Sequence, residues 1–92
     1  MIPGLTVRSI ELEAYPNPFN RVCTVRLTNY YTGPVGIDII SLNGSRVMEV
    51  EWNKRGDEFD RVLDLSELPV GAYMIDVKFG EKRLMKSVLK LD

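Results

Sequence analysis

Apolar side chains recur along this chain at every second position, which is the period of a strand and not of a helix. In VCTVRLT, Cys23, Val25 and Leu27 fall on one face, and Thr24, Arg26 and Thr28 on the other. VGIDIIS repeats the pattern with Val35, Ile37 and Ile39. GAYMIDVKF sets Tyr73, Ile75, Val77 and Phe79 against Ala72, Met74, Asp76 and Lys78. Such alternation predicts strands with one face in a core and the other in water. SIELEA, SRVMEVEW, FDRVLDL and RLMKSVLKL carry the signal less completely, so about seven strands are expected. No stretch has the 3.6-residue period of an amphipathic helix.

Turn-forming residues separate these runs. PNPFN follows the first, NYYTGP joins the second to the third, and NKRGDE makes a polar loop around Gly56. Asn43-Gly44 predicts a tight type I′ hairpin, because both residues tolerate the positive φ that this turn requires. SELPVG combines Pro69 with Gly71, and Ser66 offers a start for a single helical turn before them. Gly44 and Gly71 are expected to serve backbone conformation. Tyr73 is expected in the core with its hydroxyl bonded. Short strands at this spacing predict an all-β fold, an antiparallel immunoglobulin-like sandwich, with a small open barrel as the alternative. Residues 1–8 read as a linker from a preceding domain, and 9–92 as the folded domain.

The corner YPNPFN, Tyr15 to Asn20, is unusually stiff. Pro16 and Pro18 fix their own φ at about −65° and hold Tyr15 and Asn17 away from helix. Neither proline can donate to a ladder. Asn17 is expected to hydrogen-bond nearby backbone. The bend can carry the chain from one sheet to the other, with Tyr15 and Phe19 plugging the end of the core.

Composition narrows function more than fold. A 92-residue chain is one domain that buries roughly 60–65% of its unfolded surface. Twelve Lys+Arg against thirteen Asp+Glu argue against a nucleic-acid partner. The absence of histidine excludes His-based triads and His-containing zinc sites, and a lone cysteine cannot form an internal disulfide. No cofactor or metal is expected. No apolar run approaches the ~20 residues of a membrane helix. The opening MIPGLTVRSIELE lacks the basic-then-apolar order of a signal peptide.

Four segments, taken in order, resemble one family. AYPNPFN resembles the opening motif of type IX secretion C-terminal sorting domains, type A. IISLNGSRVMEV resembles the second motif, LDLSELPVGAYMIDVKFG the third, with Leu68, Pro69, Gly71 and Tyr73 in register, and EKRLMKSVLKL the terminal strand. The likeness runs from about Glu13 to Asp92. Two departures stand out: Ser41 replaces an acidic residue often found three positions before the second motif's glycine, and Asp92 extends beyond the usual ending.

The resemblance implies an address and no catalysis. Such domains are immunoglobulin-like and lie at the C-terminus of secreted proteins of Bacteroidetes and related phyla, behind an N-terminal cargo domain. An outer-membrane translocon, a shuttle β-barrel and a sortase-like peptidase are the implied partners, and the domain itself is expected to be monomeric. The route runs through the periplasm to secretion or the cell surface. The rival readings are an immunoglobulin-like assembly module, of hook-cap or adhesion type, and a carbohydrate-binding module.

Charge is unevenly spread. Lys78, Lys82, Arg83, Lys86 and Lys90 crowd the final stretch with only Glu81 and Asp92 for balance, while Glu49 to Glu67 is mostly acidic. A basic edge strand suits recognition by strand addition, and it equally suits protection against aggregation. The candidate recognition residues are therefore Pro16, Asn17, Pro18, Lys82, Arg83, Lys86 and Lys90; Asn43, Gly44, Pro69, Gly71 and Tyr73 are read as structural. Lesser candidates are a calcium loop at Asp57, Glu58 and Asp60, a glycosylation sequon at Asn43-Gly44-Ser45, and an aromatic platform of Tyr30, Tyr31 and Trp52. Cys23 is expected to be a small core hydrophobe.

Overall fold

A computed structural model describes residues 11–92, so the proposed linker 1–8 lies outside the described residues. Seven strands follow in order: β1 Leu12–Tyr15, β2 Val22–Thr28, β3 Gly33–Ser41, β4 Arg46–Lys54, β5 Glu58–Asp64, β6 Gly71–Phe79 and β7 Lys82–Lys90. They form a three-stranded sheet in the order β1-β2-β5 and a four-stranded sheet in the order β4-β3-β6-β7. Every neighbouring pair is antiparallel. The two sheets make an immunoglobulin-like sandwich, as the alternation predicts.

The core lies between the inner faces. Cys23, Val25 and Leu27 of β2 meet Val35, Ile37 and Ile39 of β3 and Ile75 and Val77 of β6, all fully buried. Register holds these residues in place, because slipping any strand by one position would turn its apolar set to solvent. Weaker alternations resolve the same way. In β5, Phe59 and Leu63 point inward while Val62 is exposed. Arg61 shares their face and lies over the rings of Phe59 and Trp52, at 4.7 and 5.5 Å.

Two turns differ from expectation. Asn43-Gly44 does not form a type I′ turn, since Asn43, like every other described non-glycine residue, has negative φ. Gly44 N–H donates to Ser41 O, and Ser41 N–H to Ser45 O, leaving a three-residue loop, Leu42–Gly44. Only Gly44, with φ 87°, takes the left-handed position that such a loop needs. The Asn43 side chain instead accepts from Ser41 Oγ and Ser45 N–H, and Ser41 acts here as a donor, which the acidic residue often found at its position could not do when ionised. Before β6, Leu68 N–H bonds Leu65 O in a single turn, and Asp64 rather than Ser66 caps it, accepting from Ser66 N–H at 3.0 Å. Gly71 follows with φ 151°, and Tyr73, 7% exposed, donates its hydroxyl to Pro69 O at 2.6 Å.

Candidate functional site

The stiff corner and the last strand form one unit. The chain leaves β1 at Tyr15, crosses to the edge of the other sheet, and returns to enter β2 at Val22. At the crossing, Phe19 makes a parallel bridge to Lys90: its N–H donates to Leu89 O at 2.9 Å, and its carbonyl accepts from Leu91 N–H at 2.7 Å. Phe19 is fully buried and plugs the core, whereas Tyr15 does not: it is 39% exposed, with the Arg26 guanidinium 6.0 Å from its ring. Both Tyr15–Pro16 and Asn17–Pro18 bonds are cis.

Asn17 serves a distant strand rather than its own turn. Its Nδ2 donates to Ser87 O at 3.1 Å, and its Oδ1 accepts from Leu89 N–H at 3.0 Å. Asn20 adds a bond from Nδ2 to Asp92 O at 2.7 Å. An amide offers a donor and an acceptor side by side, which is what an open strand edge presents. Pro16, Asn17 and Pro18 remain exposed above the seam.

The corner covers only half of the β7 edge. Its bonds reach Ser87, Leu89 and Leu91; β1 passes beside β7, but no described backbone group outside β6 hydrogen-bonds the edge from Lys82 to Lys86. Lys82, Arg83 and Lys86 are exposed there. Lys90 is placed differently: it lies beside Phe19 and is 6% exposed, away from the open edge.

The outer face of the four-stranded sheet fixes part of this charge. Asp38 and Asp76 are direct partners across β3 and β6, and only 2% and 3% exposed. Lys78 Nζ donates to Asp38 Oδ2 at 2.9 Å, with Arg46 Nε at 3.4 Å from the same oxygen. Arg83 Nε stands 3.1 Å from Asp76 Oδ1, outside hydrogen-bond alignment. Two buried carboxylates thus anchor three half-exposed cations, a charged layer where water would otherwise lie.

The sequence matches the family described as Secretion system C-terminal sorting domain over residues 13–90, which takes in the corner and all of β7. The chain belongs to this family, the type IX secretion sorting domains. No curated protein matches it. A sorting domain is a signal and not an enzyme: it directs its cargo through the periplasm to the outer membrane and the cell surface. Its interaction is with the type IX system.

The lesser candidates in this sorting domain fall apart spatially. Asp60 of the supposed calcium loop is turned to Arg26, with Nε to Oδ1 at 2.9 Å. That bond holds the Asp60 carboxyl below its usual range and Arg26 still more firmly protonated. Among the described residues no cluster of three metal-binding side chains occurs. Tyr31 packs on Phe79 at 5.4 Å and Trp52 on Phe59 at 6.0 Å, while Tyr30 stands alone, 90% exposed. They share no platform. Cys23 is fully buried, and burial pushes its thiol up to about 11.

Lys54 is the largest surprise. It closes β4 with 1% exposure, and its ammonium donates to the carbonyls of Asn29 and Tyr31, both at 2.8 Å, and of Gly56. Its place on the inner face was readable, two positions beyond Trp52 in the β4 alternation. Its carbonyl partners come from separate loops and leave no local sequence signal.

Proposed function

We propose that the secretion machinery reads this sorting domain at the seam between the corner and β7. An outer-membrane translocon docks against the open half of the edge, Lys82 to Lys86, and against the exposed surface of Pro16, Asn17 and Pro18. A shuttle β-barrel and a sortase-like peptidase then act on the cargo, which precedes the domain through the linker 1–8. The domain works as a monomer.

The observation that carries this reading is the half-open edge. An unpaired edge normally invites aggregation and is kept short, charged or covered. Here the corner covers Ser87 to Leu91 and stops, leaving cations beside outward backbone groups that no described residue pairs. Backbone bonds supply affinity to an added strand, and the cations steer its approach. Arg83 is held in place by Asp76. Lys90, beside Phe19, takes no part.

A reporter carrying residues 1–92 in a bacterium with an active type IX system tests this. The unaltered tag is expected to send the reporter to the surface or medium. Lys82→Glu with Lys86→Glu, folded by circular dichroism, is expected to leave it in the periplasm. Undiminished export by that variant would refute the reading.

A further inference from the structure

We infer that the strand accepted at the open half of β7 carries two acidic side chains four residues apart, an apolar residue midway between them, and a second apolar residue on its opposite face. This rests on the reading of the edge given above, and adds the chemistry of the segment that docks there.

Backbone alternation sets the geometry. On the corner side, Ser87 O, Leu89 N–H and O, and Leu91 N–H point away from β6. A period of two turns the same groups of Arg83 and Met85 outward, while Lys82, Leu84 and Lys86 bond toward β6. Among the described residues the outward groups of Arg83 and Met85 have no partner. The corner demonstrates that this edge accepts an extended segment. It also sets a limit, because a docked strand must stop where Asn17 begins.

Side-chain alternation sets the chemistry. Lys82, Leu84 and Lys86 share the inner face, as the partners of Phe79, Val77 and Ile75. Both lysines are exposed and have no ion-pair partner among the described residues, whereas Leu84 packs against the core. An added strand lays its own inner-face residues beside these three, so the complement is acidic, apolar, acidic. On the outer face Arg83 is already engaged by Asp76, which leaves no demand at that position. Met85 is 50% exposed and borders an apolar groove of about 280 Å³ with Ile40, Leu42, Ala72 and Met74. An apolar side chain beside Met85 extends that groove.

A second copy offers no free match. Its β4 acids Glu49 and Glu51 are two apart and lie on the outer face, opposite Asp38 and Gly36. Its β5 edge has the spacing in Asp60, Val62 and Asp64, but Asp60 is held by Arg26 and Asp64 accepts from Ser66 N–H. The fitting occupant is an acidic, apolar, extended segment of the secretion apparatus.

Fluorescent peptides mixed with the 92-residue chain test the inference, read by anisotropy and by amide exchange. One peptide carries the pattern, one has lysines in place of its acids, and one has the acids shifted by a single position. The patterned peptide is expected to bind and to slow exchange at Arg83 and Met85, and to bind about tenfold more weakly to the Lys82→Glu, Lys86→Glu chain. Met85→Pro removes an outward N–H without touching the β6 ladder, and is expected to abolish binding with the cations intact. Equal binding of all three peptides with protection of Arg83 and Met85 would overturn the side-chain pattern and leave the docking edge standing. Protection of neither amide by any peptide would overturn both.

Discussion

The side chain of Asn17 hydrogen-bonds the backbone of Leu89, 72 residues further along the chain. With the second bond, to Ser87 O, it works as a short piece of strand laid beside β7. Replacing it with alanine opens both groups to water at a partly solvated edge, where each bond is worth about 0.5–1 kcal/mol. Asn17→Ala is expected to lower stability to urea by about 1 kcal/mol in total and to speed amide exchange at Leu89. Asn17→Asp keeps the acceptor and loses the donor, so Leu89 stays protected in that variant.

Lys54 holds together three carbonyls that no other described group satisfies from its position. Lys54→Met keeps the length of the stem and removes the ammonium, leaving carbonyls of two loops unpaired. Loss of a buried charged hydrogen-bonding centre costs about 3 kcal/mol. The expected result is a clear drop in the urea midpoint with an unchanged m-value.

Acid should weaken the domain in a definable window. Hydrogen bonds from Ser66, its side chain first and its N–H second, hold the Asp64 carboxyl below its ordinary value of 3.8. Arg26 does the same for Asp60 through a side-chain hydrogen bond. A native value below the unfolded one means the stabilisation is complete above 3.8 and is lost as pH falls through the lowered native value. Urea midpoints measured from about pH 5 down to about pH 2 are expected to fall. Asp64→Asn is expected to flatten part of that decline.

The strands were legible because one-sided burial writes a period of two into the sequence, and VCTVRLT and GAYMIDVKF carry it without interruption. Phe19 was legible as a core plug because it is wholly apolar, whereas Tyr15 carries a polar tip and stays at the surface with the Arg26 guanidinium beside its ring. The partner of Asn17 could not be read, since an amide in a turn can bond locally or remotely, and the choice depends on which strand passes beside it. Asp38 and Asp76 lie on the outward face that alternation assigns them, yet they are buried. Cations from neighbouring strands cover them, and that depends on register across β3, β4, β6 and β7. Lys90 lies on the same face as Lys82 and Lys86, and only the bridge to Phe19 separates it from them.

Amide hydrogen exchange along β7 tests the half-open edge most directly. Leu89 and Leu91 N–H groups are bonded to the corner, and those of Arg83 and Met85 face outward without a described partner. The expected result is slow exchange at Leu89 and Leu91 and fast exchange at Arg83 and Met85 in the same folded protein. Equal, strong protection at all four would mean that the edge is closed along its whole length, and would contradict the proposed site of recognition.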